Sequence, residues 1–438
     1  MTKRLVLVEL NEINFEMVQG YVESGAELPG FTQLMGMHNV HTSCEERYEL
    51  LEPWIQWVSV HSGQRYGEHR VFRLGDIVTY NGPQIFNEIE TAGWRVGVIG
   101  AMNAKNTLSD PAYFIPDPWT QTPPDKSLWN RFISVALSQA VNDNSTAKLT
   151  IASILRLAIG LFFRIPLSRL ISLALELPWA VKYPWRKALF LDRLLYEIHK
   201  KLFLSKKCDF STVFLNAGAH VQHHYLFNSS EVDCGGLSNP DWYVPRGKDP
   251  VLEMLQVYDQ IISDLLRWGD QEILVATGLS QVPFHELKFY YRLKDHAAFL
   301  TELGVSDFQV FPRMTRDFLV SLPDENKASE AAAKIASVMV DNVKPMFEEV
   351  DQRGAELFVV LTWPHEINES TTATSGDLTL PLADWVSFVA IKNGEHNGKG
   401  WAFFSGGIKD FAPQDGDHVA SLYGAIAGFF EVPSSSSR

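Results

Sequence analysis

The chain has 438 residues, of which 46% are hydrophobic and 21% are charged, and its formal net charge is −14 at pH 7. This length and composition are typical of a folded globular protein with a large core or more than one domain. The acidic balance argues against general nucleic-acid binding, which needs a basic surface. The three cysteines are too few and too scattered for a disulfide framework, which favours a reducing compartment.

The first apolar run is Leu5 to Leu10, "LVLVEL", and it follows a basic start. The run is short and contains Glu9, whereas a signal peptide needs a longer apolar region and a small-residue cleavage site. We therefore expect a cytoplasmic protein. A nearly continuous apolar run of this length is typical of a strand buried on both faces of a parallel sheet. The stretch from Phe15 to Met35 then predicts a helix with a break near Pro29.

Comparable strand and helix patterns follow along the chain. Apolar runs at 94–101, 211–218, 271–278 and 400–407 predict buried strands, and 251–269 is a strongly periodic helix. Strands that alternate with helices indicate βαβ units and a parallel sheet covered on both faces. The predicted fold class is therefore α/β, a three-layer sandwich around a mostly parallel sheet.

The region 127–207 departs from this alternation and predicts a helical insertion. Its part 151–207 carries eleven Lys and Arg against three Asp and Glu, a net charge of +8 in an acidic protein. Arg156, Arg164 and Arg169 interrupt the apolar stretch, so no run of about 18 uncharged residues exists to span a bilayer. Two interpretations stay open. The segment lies on an anionic membrane surface, or it packs on the sheet domain with its arginines reaching outward.

A second departure is 306–363, which reads strand, helix, strand and predicts a small α+β insertion. The serine-rich tail at 433–438 is predicted to be disordered. The remaining segments, 1–126, 208–305 and 364–432, are the predicted core.

Polar stretches follow several of the predicted strands. A parallel sheet places the carboxyl ends of its strands along one edge, and ligands bind in the crevice there. A further polar stretch, 52–72, follows the first helix. The stretches at strand ends are "ELNE" (9–12), "NAGAHVQHH" (216–224), "ATGLSQ" (276–281) and "NGEHNGKG" (393–400).

Five of these segments, taken in order, resemble the alkaline phosphatase superfamily, and in particular its branch of type I phosphodiesterases and nucleotide pyrophosphatases. The match spans roughly 1–110 and 208–430, and the order of the five pieces carries it. They are "LVLVELNEINFEMV", "WVSVHSGQRYGEHRVF", "NAGAHVQHHYLF", "GEHNGKGWAFFSGG" and "DHVASLYGAIAGFFEVP".

The resemblance implies the fold of that superfamily and a site with two metals, usually zinc, beside a Thr or Ser nucleophile. His223 and His396 keep the histidines of two motifs, and both belong to the same metal position. The other motif positions lack the expected side chains, so the ordinary two-zinc site cannot form. The substituted positions are Asn11, Ala219, Thr277 with Gly278, and about Pro53 for the nucleophile.

A rebuilt site is the first hypothesis. We predict that His223 and His396 bind one divalent metal, zinc or manganese, with Asn11 or a nearby glutamate as a further ligand. In a variant of this hypothesis, the rebuilt site works without a metal. The predicted catalytic residues are Glu12, His220 and Gln56, and His220, His224 or His61 could act as the general base. The glutamates near the vacated positions are Glu9, Glu12, Glu52 and Glu395.

The predicted function is an atypical phosphoester or phosphodiester hydrolase or transferase acting on a glycan, nucleotide-sugar or lipid-linked phosphate. The second hypothesis is a non-catalytic relative that binds a ligand or partner in the same crevice. The third is a protein recruited to the inner face of an anionic membrane by the basic helical segment, and it is compatible with either of the others. The vacated loops are rich in His, Trp and Tyr, as ligand pockets are, which favours a working site. Nucleotide-cofactor binding at 93–106 is disfavoured, because the glycines there do not have the Gly-x-Gly-x-x-Gly spacing.

Overall fold

The structure is a computed structural model that describes residues 3–142, 151–313 and 316–432. The tail 433–438, predicted to be disordered, lies outside the described residues. The strands are β1 (Leu5–Leu10), β2 (His38–Ser43), β3 (Val96–Ile99), β4 (Tyr113–Ile115), β5 (Phe210–Leu215), β6 (Glu272–Ala276), β7 (Ser280–Leu293), β8 (Gln309–Pro312), β9 (Asp317–Ser321), β10 (Met339–Val340), β11 (Lys344–Pro345), β12 (Glu349–Arg353), β13 (Glu356–Val360), β14 (Thr372–Ser375), β15 (Leu378–Pro381), β16 (Val386–Asn397) and β17 (Lys399–Phe404). The helices are α1 (Phe15–Glu23), α2 (Pro29–Met35), α3 (Pro53–Ser62), α4 (Tyr66–His69), α5 (Ile85–Thr91), α6 (Leu128–Asn142), α7 (Ile151–Arg164), α8 (Leu167–Lys182), α9 (Pro184–Lys206), α10 (Ala217–Tyr225), α11 (Pro250–Leu265), α12 (His296–Glu302), α13 (Glu325–Ala336), α14 (Leu382–Trp385) and α15 (Ser421–Phe429).

The central sheet of the described chain has the strand order β2-β17-β6-β1-β5-β3-β4. β1 lies in its middle and pairs in parallel with β5 on one side and β6 on the other. β17 runs antiparallel to both of its neighbours, β2 and β6. The sheet is thus mostly parallel, which confirms the prediction from the apolar runs.

The side chains of β1 alternate between two hydrophobic cores, as the period of two in a strand requires. Val6, Val8 and Leu10 belong to the core shared with α1, α2, α9, α10 and α11. Leu5 and Leu7 belong to the opposite core, which α3, α5 and α15 complete. Helices therefore cover both faces of the sheet, and the three-layer α/β prediction is confirmed. Each fully buried aliphatic or aromatic side chain contributes about 1.5–3 kcal/mol.

The region 127–207 forms the four helices α6 to α9, which differ in how deeply they are buried. Trp185, Leu189, Ile198 and Phe203 of α9 are fully buried in the core beneath the sheet. Much of α7 and α8 faces solvent. Among the described residues, no helix is both long enough and apolar enough to cross a bilayer.

A separate core lies beside the sandwich. It is built from two four-stranded antiparallel sheets, β11-β10-β14-β15 and β12-β13-β9-β8, together with α12 and α13. The core draws on residues from Phe289 to Ile391. Its link to the sandwich is the long antiparallel ribbon of β7 and β16, in which His396 faces Gln281. The ribbon brings the end of β16 to the carboxyl end of the parallel strands, where the candidate site lies.

Candidate metal centre

The turn that follows β1 presents a buried carboxylate to the crevice. Glu12 has a φ of 63°, in the left-handed region, and such a conformation costs about 1–2 kcal/mol in a residue with a Cβ. Backbone bonds hold it there. The Glu12 N–H donates to the carbonyl of Thr277 at 3.0 Å, and Gln222 Nε2 donates to the Glu12 carbonyl at 2.9 Å. The turn is therefore tied to the end of β6 and to α10.

Glu12, His223 and His396 bring three ligand atoms together. Glu12 Oε2 lies 3.1 Å from His223 Nε2 and 3.3 Å from His396 Nε2. The two imidazole nitrogens are 3.2 Å apart, although 173 positions separate them along the chain. The Glu12 side chain is 2% exposed and that of His223 is 30% exposed. The cluster is thus closed on the Glu12 side and open to solvent at His223.

These spacings fit a bound divalent metal. Zinc binds imidazole nitrogen and carboxylate oxygen at about 2.0–2.2 Å, usually in tetrahedral geometry, so two ligand atoms of one ion lie about 3.3–3.5 Å apart. The three distances in the cluster are 3.1, 3.2 and 3.3 Å. Among the described residues, these three form the group whose ligand atoms all lie within 4.8 Å of one another. Three protein ligands leave one position open for a water or a substrate.

Neighbouring amides fix the orientation of the Glu12 carboxylate. Gln281 Nε2 donates to Oε2 at 2.5 Å, and Asn11 Nδ2 donates to Oε1 at 3.1 Å. Trp57 Nε1 donates to Asn11 Oδ1 at 2.7 Å. An indole N–H is only a donor, so it forces the Asn11 oxygen toward Trp57 and the Asn11 nitrogen toward Glu12 and Asn216. Asn11, predicted as a metal ligand, therefore lies beside the cluster with its oxygen already accepting a hydrogen bond.

The electrostatics of the cluster favour an ionised carboxylate. Burial by itself would raise the pKa of Glu12, but His396 and His223 outweigh burial and hold that pKa well below its usual range. Conversely, burial would lower the pKa of His396, yet the Glu12 carboxylate raises it. A cation bound between these groups would compensate the negative charge of the carboxylate and take the place of positive charge on the imidazoles.

A second carboxylate, Glu52, stands at the outer edge of the cluster. Its Oε2 is 3.6 Å from His396 Nδ1, and its side chain is 31% exposed. Burial raises the pKa of Glu52 to about 7, the nearby Glu12 charge acts in the same direction, and His396 opposes both. Glu52 immediately precedes Pro53, the first residue of α3. The start of α3 thus presents a carboxylate at the position where the resemblance implies a hydroxyl nucleophile.

The other predicted catalytic residues lie apart from the three ligand atoms. The ring of His220 packs against His224, with centroids 5.0 Å apart, and burial lowers its pKa to about 4. Gln56 is fully buried in α3, where its Nε2 donates to the carbonyl of Leu50 at 2.8 Å. The structure therefore brings His223, His396 and Glu12 together, while His220 and Gln56 make other contacts.

Glu9, one of the glutamates near the vacated positions, lies on the other face of β1. Because it alternates with Val8 and Leu10, its side chain points toward α3, where Oε1 is 3.1 Å from His61 Nε2. Both side chains are almost completely buried. Glu9 is thus separated from the cluster by the alternation of the strand.

Sequence reasoning missed the residues that orient Glu12. Gln281 and Asn216 lie within stretches that the strand-end pattern singles out, so a signal for them exists. Trp57 lies in the stretch 52–72 that the sequence also singles out, but its part in the site was not predicted, because a tryptophan in an apolar helix is typical of a core residue. Its indole nitrogen is directed at Asn11 only through the packing of α3 on the sheet.

Comparison with known proteins gives matches to solved structures alone. No family profile matches the chain, and no curated protein matches it. The phosphonoacetate hydrolase of Sinorhizobium meliloti 1021, in complex with phosphonoformate, is similar with 13% identity and a TM-score of 0.43, covering 98% of this chain and 96% of that chain. Murine ectonucleotide pyrophosphatase/phosphodiesterase 5, in complex with AMP, is similar with 10% identity and a TM-score of 0.43, covering 99% and 96%.

A third solved structure, the alkaline phosphatase of the Antarctic bacterium TAB5, is similar with 9% identity and a TM-score of 0.42, covering 99% of this chain and 100% of that chain.

Proposed function

We propose that this protein is a phosphoester or phosphodiester hydrolase or transferase with one divalent metal, zinc or manganese, held by Glu12, His223 and His396. The observation that carries the proposal is the convergence of three ligand atoms at 3.1–3.3 Å from one another. Glu12, His223 and His396 would hold the ion, which when bound would polarise a phosphoryl oxygen and lower the pKa of a bound water.

The chain's own residues supply the proton chemistry. Position 53 is a proline, so the start of α3 offers no hydroxyl to attack phosphorus. We infer that water attacks phosphorus instead and that Glu52 accepts its proton, since this carboxylate is partly open and lies 3.6 Å from His396 Nδ1. The ester P–O bond breaks as the new P–O bond forms, and the released alkoxide takes up a proton from solvent. Asn11 and Gln281 keep the Glu12 carboxylate in position through hydrogen bonds to its two oxygens.

The rim of the site supports a substrate in which phosphate is joined to a sugar, a nucleoside or a lipid-linked saccharide. Lys392 influences the pKa values of both Glu52 and His396, so its ammonium group lies within electrostatic range of the cluster. Tyr48 is 57% exposed and lies within electrostatic range of Glu52. A cation that attracts a second anionic group and an aromatic ring that stacks on a sugar or base are what such substrates need.

Elemental analysis of the purified protein tests the metal. We expect about one zinc or manganese ion per chain after loading and dialysis, and none in a His223→Ala/His396→Ala variant. His41→Ala is the matched control, because its ring is exposed and pairs with Asp415. Hydrolysis of aryl phosphate mono- and diesters, followed by nucleotide-sugars, tests the reaction. Protein that binds no metal and hydrolyses none of these compounds would contradict the proposal and favour the non-catalytic hypothesis.

A further inference from the structure

Helices α7 and α8 carry an unusual concentration of exposed apolar side chains. Half of the large hydrophobic side chains that are exposed in the described residues fall within 154–181. We call this set the apolar face. Its members are Ile154, Leu155, Ile159, Phe162, Phe163, Leu167, Ile171, Leu175, Leu177 and Val181.

The spacing of the apolar face is that of one side of a helix. Leu167, Ile171 and Leu175 follow one another at intervals of four residues, and Leu175 is 77% exposed. The opposite side of α8 is apolar too, since Leu173 and Ala180 are buried. Two sides of α8 are therefore apolar and each needs an apolar contact, but the described chain covers only one of them. Exposed apolar patches of this extent mark interaction surfaces.

The charges around the apolar face are positive. The one acidic residue from Ile151 to Lys182 is Glu176, and it is paired with Arg193. Arg156, Lys182 and Lys187 are exposed, and none of them forms an ion pair within the described residues. A chain with a formal charge of −14 therefore presents its apolar face among cations that form no ion pair within the described residues. One of them, Lys182, lies 5.5 Å from the centroid of the Tyr183 ring.

We propose that the apolar face of α7 and α8 docks on an anionic lipid bilayer. The two helices lie in the plane of the headgroups, their leucines and phenylalanines enter the acyl boundary, and Arg156, Lys182 and Lys187 contact lipid phosphates. No described helix is suited to crossing the bilayer, which leaves a surface mode of binding. This inference does not depend on the metal centre.

A second copy of the chain is a poorer occupant of the apolar face. In a two-fold dimer the same patch meets itself, so Arg156 and Lys182 would face a surface whose single carboxylate, Glu176, is already paired with Arg193. Juxtaposed like charges oppose association. Anionic lipid offers many phosphates to the same cations.

Vesicle flotation tests the proposal with the full-length chain. We expect the protein to float with vesicles made of equal parts phosphatidylcholine and phosphatidylglycerol, and to float much less with phosphatidylcholine alone. Each removal of a positive charge is expected to weaken partitioning into the anionic vesicles about fivefold. The substitutions are Arg156→Gln, Lys182→Gln and Lys187→Gln. High salt should weaken binding in the same direction, because it screens exposed charges.

A variant of the apolar face separates lipid binding from other effects. Leu167→Ser, Ile171→Ser and Leu175→Ser together should abolish flotation while leaving metal content and circular dichroism unchanged. The matched control is Phe311→Ser, Val343→Ser and Val389→Ser, which alters three exposed apolar residues elsewhere. Wild-type protein that stays out of the lipid fraction would overturn the proposal, as would equal flotation of the two triple variants. A dimer that the Leu167→Ser/Ile171→Ser/Leu175→Ser variant converts to monomer would instead assign the face to a second copy.

Discussion

Glu12 combines three features at the scale of a single residue. It has left-handed backbone geometry, it is buried, and its carboxylate faces two imidazoles. A strained backbone at a polar cluster persists when the surrounding structure fixes it, and such positions concentrate at functional sites. Here the Thr277 carbonyl and the Gln222 side-chain amide hold the backbone of Glu12. The amides of Asn11 and Gln281 hold its carboxylate. The orientation of one carboxylate thus depends on side chains that never touch the metal.

Trp57→Phe tests that dependence. The substitution keeps the aromatic ring but removes the N–H that orients the Asn11 amide. We expect metal affinity to fall 10- to 100-fold, as is typical when a group behind a ligand is lost, while the fold is kept. The measurement is competition with a chromophoric zinc chelator. Trp54→Phe is the control, because its N–H donates to the carbonyl of Phe72. Equal affinities for the two variants would show that Trp57 is only a packing residue.

His199 predicts a dependence of stability on acid. It is fully buried, its Nε2 is 2.8 Å from Ser211 Oγ, and burial lowers its pKa from 6.5 to about 3. Between those values the unfolded chain binds a proton at this position and the folded chain does not. The free energy of unfolding therefore decreases as the pH falls below 6.5, by up to about 1.4 kcal/mol per pH unit.

Urea unfolding from pH 7 down to pH 4.5 measures this slope. His199→Gln, which keeps a side-chain donor for Ser211, should show a shallower decrease than wild type. The exposed His285→Gln serves as the control and should follow wild type. Parallel curves for His199→Gln and wild type would contradict the assignment.

At the scale of elements, the helix that carries His223 is held by the helical region before β5. The first turn of α10 is capped from α9, since the N–H of Ala217 donates to Asp192 Oδ2 at 2.8 Å. The hydroxyl of Tyr258 in α11 donates to the same oxygen at 2.6 Å. An acidic group at a helix N-terminus satisfies free N–H groups and complements the helix dipole. Helix α9 is therefore part of the scaffold of the candidate site.

Asp192→Ala should accordingly destabilise the protein more than an ordinary surface change. It leaves two buried donors without an acceptor, and we expect the free energy of unfolding to fall by roughly 2–4 kcal/mol. Asp192→Asn retains an acceptor oxygen and should have a smaller effect. Denaturant unfolding of the two variants measures both values. If Asp192→Ala is as stable as Asp192→Asn, the cap contributes little.

The start of α11 offers a second test of capping. Asp249 accepts from the N–H of Leu252 at 2.9 Å and also binds the hydroxyl of Tyr21 at 2.5 Å. Asp249→Ala should cost about 2–3 kcal/mol, because it removes a helix cap and also the charged acceptor of the largely buried Tyr21 hydroxyl, which keeps its contact with Ser229 Oγ at 2.8 Å. Asp295→Ala removes only the cap of α12 and should cost about 1 kcal/mol. If Asp249→Ala and Asp295→Ala lower the free energy of unfolding in urea by equal amounts, the contact of Asp249 with Tyr21 does not contribute to stability.

At the scale of the whole molecule, the candidate site exists only in the folded chain. Glu12 follows β1, His223 lies on α10, and His396 lies on β16. A metal that binds these three together binds the folded state and stabilises it by mass action, by about 2.7 kcal/mol at a free concentration one hundred times the dissociation constant.

Thermal unfolding with and without added zinc or manganese checks this coupling. We expect the midpoint to rise in wild type and to stay unchanged in His223→Ala/His396→Ala. The Leu167→Ser/Ile171→Ser/Leu175→Ser variant should respond as wild type does, because the apolar face is outside the cluster. A rise of equal size in the histidine double variant would place the stabilising metal elsewhere.

The sequence by itself determined the α/β class and the edge of the sheet where polar groups gather. Both follow from local patterns. Apolar runs such as Leu5–Leu10 form strands buried on both faces, and periodic segments such as Pro250–Leu265 form helices between them. Parallel strands then place their carboxyl ends at one edge. His223 and His396 lie in the same strand-end stretches, where the resemblance to known motifs singled them out from the other histidines.

Only the tertiary structure decided which nearby side chains come into contact with His223 and His396. Asn11 and Glu12 are adjacent, and a left-handed turn together with one indole N–H makes Glu12 the carboxylate that faces the imidazoles. Similarly, α7, α8 and α9 are all basic and apolar in composition, so composition does not distinguish the three helices. Helix α9 is largely buried and forms contacts with residues far along the chain, such as the ion pair of Arg186 with Glu253. Helices α7 and α8 keep an uncovered face. Such outcomes depend on partners far along the chain, and no local pattern of residues records which partner a side chain will find.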